Sequence, residues 1–273
     1  MSQRYSMPFD DEGKHVHKKR FGQHFLHDPG IIRRIVQAVA PKPGDRLIEI
    51  GPGEGAITLP FLREHGELTV IELDRDLIPR IEAAAAGLGT LGVIQADVLT
   101  VNFTHLAQGS PLRLVGNLPY NISSPILFHC LDHADAIVDM HFMLQKEVVD
   151  RMASAPGSKV YGRLSVMLQL SCRVEPLFKV PPGAFNPPPK VDSAVVRLTP
   201  LPPGQRHDAD PALVARIVRH AFGQRRKTLS NALHGVATVR QIDAAGIDPR
   251  IRAEQLAPTR FVELAHAVTN VEA

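Results

Sequence analysis

Between residues 46 and 154, short apolar runs alternate with stretches of helical periodicity, and this rhythm limits the fold more than any other feature. The strand-like runs are RLIEIG (46–51), LTVIEL (68–73), LGVIQA (91–96), LRLVGN (112–117) and IVDMHFML (137–144). Helical candidates lie near 56–65, 75–86, 122–131 and 145–154. Strands separated by helices cannot close as hairpins, so each connection crosses over and the expected product is a mostly parallel sheet with helices on both faces. Two further runs, RLSVMLQLSCRV (163–174) and VDSAVVRL (191–198), follow closely with no obvious helix between them. They are expected to complete a seven-stranded sheet as an antiparallel pair. An earlier helix is expected from Asp28-Pro29, an N-cap followed by proline at the first helical position, with the amphipathic spacing of IIRRIVQAV behind it.

The composition changes at LPPGQRHDADP (201–211), beyond which the chain reads as short helices only: LVARIVRHAF, KTLSNAL, VRQIDAAG and FVELAHAV. The expected organisation is a flexible extension over 1–16, an α/β domain over 17–203 and a small all-α domain over 204–273. No apolar run approaches the roughly 18 residues of a membrane span, and MSQRYSMPFDDEGKH has no signal-peptide core. The two cysteines, Cys130 and Cys172, form no C-x-x-C pattern, so a cytoplasmic chain without disulfide framework or metal site is expected. His15 and His17 are read as solvated, with no third ligand evident.

The net charge of +3 hides an asymmetry. Residues 14–27 hold Lys14, Lys18, Lys19 and Arg20 and no acid; residues 211–240 hold Arg216, Arg219, Arg225, Arg226, Lys227 and Arg240 and no acid. The remainder of the chain is therefore net acidic. One basic run is ordinarily a solvated face. Two acid-free runs on an acidic body point to a polyanion, and nucleic acid is the expected partner.

Chemistry-bearing residues gather where strands end. After the first run comes Glu49-Ile50-Gly51-Pro52-Gly53-Glu54-Gly55-Ala56, whose glycines permit a tight turn that brings backbone amides close to a ligand. Glu72 ends the next run, 21 residues after Gly51, where a carboxylate can accept both hydroxyls of a ribose. Asp97 ends the third and suits the amino group of an adenine, although a helix N-cap reading is equally open for it. Gly51, Gly53 and Ala56 also satisfy G-x-G-x-x-A, so the loop alone leaves a nicotinamide-dependent oxidoreductase open.

The fourth run ends in Asn117-Leu118-Pro119-Tyr120. An adenine amine is a poor nucleophile because its lone pair is delocalised into the ring. Two acceptors aimed at its N–H protons, the Asn117 side-chain oxygen and the backbone carbonyl of Leu118 or Pro119, would draw the nitrogen towards tetrahedral geometry. Tyr120 would stack on the base. Positioning and electrostatics then suffice for methyl transfer, which fits a corner that contains no Asp, Glu, His or Lys. A hydrogen-bonded turn with a core tyrosine is the plainer reading of the same four residues.

Together the stretches RFGQHFL (20–26), EIGPGEG (49–55), VIELD (70–74), QADVL (95–99), NLPYNISSPIL (117–127), FNPPPKVDSAVVRL (185–198) and FGQRRKTLSNAL (222–233) resemble the ribosomal RNA adenine N6,N6-dimethyltransferases. These are Rossmann-like class I methyltransferases that use S-adenosylmethionine, and the likeness runs from about Lys18 to Leu264. The last two stretches resemble the bacterial small-subunit enzymes, which dimethylate two adjacent adenines in the 3′-terminal hairpin loop of 16S rRNA. The resemblance implies cofactor contacts at His24, Leu26, Gly51, Gly53, Glu72, Asp97 and Asn117. Many relatives carry Asn at the position of His24. It also implies that Phe185 presses on the target base opposite Tyr120; by its residue type and loop alone, Phe185 reads as a core anchor. Lys18, Lys19 and Arg20, and Arg225, Arg226 and Lys227 on a short helix, become candidate phosphate contacts. The implied partner is 16S rRNA within a small subunit or its precursor, met by a monomer with no obligate protein partner. A large-subunit adenine methyltransferase of macrolide-resistance type shares the Asn-(Ile/Leu)-Pro-Tyr corner, and a non-catalytic assembly factor is a further alternative.

Overall fold

The computed structural model describes residues 24–224 and 226–270. Its strands, in chain order, are β1 (Phe25–Leu26), β2 (Arg46–Ile50), β3 (Glu67–Glu72), β4 (Thr90–Gln95), β5 (Leu112–Asn117), β6 (Ile137–Gln145), β7 (Cys172–Val180), β8 (Phe185–Asn186) and β9 (Ser193–Pro200). Its helices are α1 (Pro29–Val39), α2 (Thr58–His65), α3 (Ile78–Ala85), α4 (Phe103–Ala107), α5 (Ser123–Asp132), α6 (Lys146–Met152), α7 (Arg163–Gln169), α8 (Pro211–Gly223), α9 (Leu229–Ala232), α10 (Val239–Ala244) and α11 (Pro258–Asn270). Seven strands form one sheet in the order β4-β3-β2-β5-β6-β9-β7, while β1 and β8 make a separate antiparallel pair. The five strands from β4 to β6 run parallel. From β2 the chain builds outward through β3 and β4, then returns to lay β5 and β6 on the other side. The switch between β2 and β5 opens a crevice beyond the C-terminal ends of the strands.

Contacts divide the chain into two compact units. One holds the described residues up to Lys146 together with Leu177–Arg197; the other holds Glu147–Pro176 and the described residues from Leu198 onward. In the first, β2 is buried along Leu47–Ile50 and so reads as a continuous apolar run broken only by Glu49. Helix α1 begins as expected: Asp28 Oδ1 accepts the N–H groups of Gly30 at 2.8 Å and Ile31 at 2.9 Å, and Ile31, Ile35, Val36 and Val39 face the core. No helix of the described residues is long and apolar enough to cross a membrane.

The second unit corrects two expectations. Residues 163–169 are helix, not the start of a strand; the strand begins only at Cys172. The alternation of Leu164, Val166, Leu168 and Leu170 imitates a strand, but the local hydrogen bonds favour a helical start. The Ser165 hydroxyl accepts the Gly162 N–H at 3.1 Å and donates to the Arg151 carbonyl at 2.5 Å. Tyr161, Val166 and Leu170 then pack with Val214, Ile217, Leu229, Phe261 and Leu264 of the C-terminal helices. The helical unit is therefore larger than residues 204–273, because a loop-rich boundary at 201–211 cannot reveal an earlier segment that shares its core.

At the N-terminal edge of the parallel strands, Arg113 joins three segments. It donates to Asp45 at 2.7 Å, to both carboxylate oxygens of Asp139 at 3.0 and 2.8 Å, and to the Val39 carbonyl at 2.8 Å. His141 lies beside this cluster and is 2% exposed. Burial pushes its imidazole down to about 4; Asp139 opposes the shift, while Arg113 and Arg197 add to it. The folded state thus holds His141 neutral where the unfolded chain, titrating near 6.5, takes up a proton. Stability should therefore fall as the pH drops from about 6.5 to about 4. His141→Gln should flatten that limb relative to the parent, read as urea midpoints across the pH series.

Candidate functional site

A cavity of about 320 Å³ opens at the C-terminal ends of β2, β3, β4 and β5, within the first unit. Its wall includes His24, Leu26, Gly51, Gly53, Glu72, Asp97, Asn117, Leu118, Pro119 and Tyr120, so ten of the residues singled out in the sequence come together there. Strand geometry is the reason: parallel strands deliver their last residues to one edge, and side chains near the switch point face a common space.

The glycine turn is shaped by steric need. Gly53 has φ +56°, which favours glycine, and a Cβ there would stand 2.8 Å from the Phe25 ring, so any other residue would strain the turn and push the β1 ring aside. At the end of β5, a Cβ on Gly116 would come within 2.6 Å of the Ile50 carbonyl. That glycine lets β5 close against β2 one residue before Asn117.

The carboxylates differ in setting. Glu72 is 7% exposed; burial raises its carboxyl above the ordinary range, and the N–H of Asp74, donating at 2.7 Å, draws it back. Asp97 is exposed and caps the turn Val98–Thr100, accepting the Leu99 N–H at 3.0 Å. The N-cap reading therefore holds, and the same carboxylate still borders the cavity. Sequence reasoning passed over Glu49. It is 1% exposed on the cavity wall, accepts the Thr58 hydroxyl at 2.5 Å, and burial pushes its carboxyl up to about 8 against the Thr58 bond. An acid inside a buried strand run, directly before a glycine turn, was the available signal. Leu73 and Leu99 were also missed: both are large exposed apolar side chains on the same wall, directly after Glu72 and two residues after Asp97.

The Asn117 corner is oriented by its neighbours. The Asn117 amide nitrogen donates to the His24 carbonyl at 2.9 Å, and since a carbonyl can only accept, the side-chain oxygen is the end left over for a ligand. The Pro119 carbonyl accepts the Ile122 N–H at 3.2 Å, closing the turn, so Leu118 offers the backbone acceptor that the turn does not use. The Leu118 side chain is buried. Tyr120 is half-buried, stacked on the His24 ring at 5.7 Å between centroids.

Two expectations change, and a third group of residues lies outside the structure described. Phe185 does not line the cavity; it is 2% exposed, sits opposite Leu26 in the β1–β8 pair and packs with Val115, Met143 and Val195. The core-anchor reading describes its place, because pairing with β1 turns its ring inward. Arg226 and Lys227 are exposed in the second unit but lie in the turn between α8 and α9, not on a helix; the Lys227 N–H returns to the Gln224 carbonyl at 3.0 Å after α8 stops at Gly223. Lys18, Lys19, Arg20, Arg225, His15 and His17 lie outside the described residues.

Two solved structures share this architecture. A dimethyladenosine transferase from Plasmodium falciparum superposes with TM-score 0.77 and 26% identity, covering 88% of this chain and 96% of that one. The 23S rRNA methyltransferase ErmE does so with TM-score 0.68 and 26% identity, covering 90% and 100%. The fold is that of a class I methyltransferase. The sequence profile described as ribosomal RNA adenine dimethylase matches residues 14–270. The chain is also 64% identical over 249 residues to the ribosomal RNA small subunit methyltransferase A of Xanthomonas oryzae pv. oryzae, covering 91% of this chain and 95% of that protein. It belongs to the ribosomal RNA adenine dimethylase family and is an enzyme that methylates ribosomal RNA.

The protonated state of Glu49 sets a pH signature. An unfolded chain ionises this group near 4.5, whereas the folded chain keeps its proton to about 8. The stabilising effect is complete below about 4.5 and is lost as pH rises towards 8. Glu49→Gln, which keeps an acceptor for Thr58, should gain in melting temperature over the parent progressively across that window and hold a constant gain above it.

Proposed function

We propose that this enzyme transfers methyl groups from S-adenosylmethionine to the N6 amines of two adjacent adenines in the 3′-terminal hairpin loop of 16S rRNA, leaving N6,N6-dimethyladenosines. The observation that carries the chemistry is the Asn117 amide, held by the His24 carbonyl with its oxygen free. Likeness over nearly the whole length to a small-subunit methyltransferase supports the choice of RNA.

The cavity residues fit the cofactor. Leu73 and Leu99 offer apolar surface to a flat adenine, and Asp97 beside them an acceptor for its amine. Glu72 offers two acceptors to ribose hydroxyls, and open space beside Gly51 leaves room for the methionine part to approach the backbone. When bound, S-adenosylmethionine supplies an electrophilic methyl on its sulfonium. The rest is positioning. Asn117 Oδ1 and the Leu118 carbonyl accept the two N–H protons of the target amine and localise its lone pair. Tyr120 supports the base by stacking, a contact worth about 1–3 kcal/mol. No strong base is needed, because the proton leaves a nitrogen that has become positively charged. The target base must be splayed out of its stack to enter, so a loop adenine suits better than a paired one. Arg226 and Lys227, with Lys18, Lys19, Arg20 and Arg225, contribute phosphate contacts. The enzyme acts as a cytoplasmic monomer on a small subunit or its precursor.

The likeness to ErmE supports a second reading, methylation of large-subunit RNA. Labelled methyl donor supplied with small subunits and with large-subunit RNA should give dimethyladenosine, by mass spectrometry, in the small-subunit RNA alone. Labelling confined to the large-subunit RNA overturns the assignment. In the same assay Asn117→Ala should lower turnover by about two to three orders of magnitude. Affinity for S-adenosylhomocysteine should change less, and near-normal turnover would remove Asn117 from its role. Reversing the charges of Arg226 and Lys227 should weaken RNA binding and flatten its salt dependence by about 0.9 per lost phosphate contact, as for duplexes. An unchanged slope in filter binding would place the RNA surface elsewhere.

A further inference from the structure

The stretch Phe185–Ser193 contains the residue that the family resemblance implies as a base contact, yet the structure turns Phe185 into the core. Its far end supplies a different contact. Ser193, the first residue of β9, is wholly buried, and its hydroxyl lies 2.6 Å from the Tyr120 hydroxyl. We propose that Ser193 is a positioning residue of the methyl-transfer site: with His24 it fixes the Tyr120 ring, and the 185–193 connection serves as the frame for the base-stacking face. This rests on the adenine chemistry proposed above.

The argument is geometric. A tyrosine hydroxyl lies on the Cβ–Cγ axis, so a bond to it fixes where that axis points but leaves the ring free to turn about it. Aromatic χ2 torsions are broad, so something else must set the plane. The His24 ring does so, stacked on Tyr120 with 29° between planes. His24 is fixed in turn, because its Nδ1–H donates to the Pro187 carbonyl at 2.8 Å. Both constraints on Tyr120 therefore come from the 185–193 connection, one from each end. That connection is itself anchored: Phe185 pairs with Leu26, the Asp192 carbonyl accepts the Lys146 N–H at 2.9 Å, and the Asp192 carboxylate meets Lys179 at 2.8 Å. Ser193 has no exposed surface, so losing the bond would strand a buried hydroxyl.

A double-mutant cycle tests this, with small-subunit RNA as substrate and Ser193→Ala, Tyr120→Phe and the pair as variants. Each single variant should lower kcat/KM for RNA by roughly two- to tenfold, the worth of one hydrogen bond, and the pair should fall no further than the singles. The loss should appear in kcat and in KM for RNA, with KM for S-adenosylmethionine and the calorimetric affinity for S-adenosylhomocysteine unchanged. Tyr120→Phe breaks the same bond from the cavity side, so it carries the test if Ser193→Ala does not fold. Additive losses, or parental kcat/KM in Tyr120→Phe, overturn the positioning role. A parent enzyme inactive on small-subunit RNA would instead overturn the function assigned above, leaving the two failures distinct.

Discussion

The parallel pairing of β2 with β5, with Glu49 opposite Val115, is the contact on which the site depends. It sets the glycine turn and the Asn117 corner side by side, because each begins one or two residues beyond the paired run. Gly116 makes the approach possible, since any side chain there would collide with the Ile50 carbonyl. That closeness gives the cavity its make-up: carboxylates on the β2–β4 side, amide and carbonyl acceptors on the β5 side, and one shared space between them.

A second layer of control comes from segments that are not in the large sheet. The two-residue strands β1 and β8 hold only a short antiparallel pair, yet His24, next to β1, bonds through its carbonyl to Asn117 and through its ring to Pro187. The orientation of the Asn117 amide is thus dictated by a residue 93 positions earlier in the chain. Burial also shapes the charge of the site. Glu49 and Glu72 both stand at the cavity, and desolvation raises both; Glu49, pushed up to about 8, keeps its proton at neutral pH and so does not repel its neighbour.

Much of this was legible beforehand. The five parallel strands, the helix begun at Asp28 and the clustering of Gly51, Glu72, Asp97 and Asn117 follow from local pattern: apolar runs mark buried strands, and polar residues at their ends face a common edge. Local pattern misled at 163–169, where alternate apolar residues served a helix; at Phe185 the residue type read as the core anchor that the structure shows, and only the family resemblance pointed to a base contact. Glu49, Leu73 and Leu99 went unread because exposure and burial are properties of the packed chain, not of residue type.

The sequence by itself determined the class of sheet, the site of the glycine turn and the chemical types offered at its rim, since periodicity and turn residues act over a few positions. Only the tertiary structure decided which way the Asn117 amide points, which carbonyl of the corner stays free, and how Tyr120 is held. Those depend on partners such as His24, Ile122 and Ser193. Two of the three are remote in sequence, and a hydrogen bond between distant residues exists only once packing has brought donor and acceptor within about 3 Å.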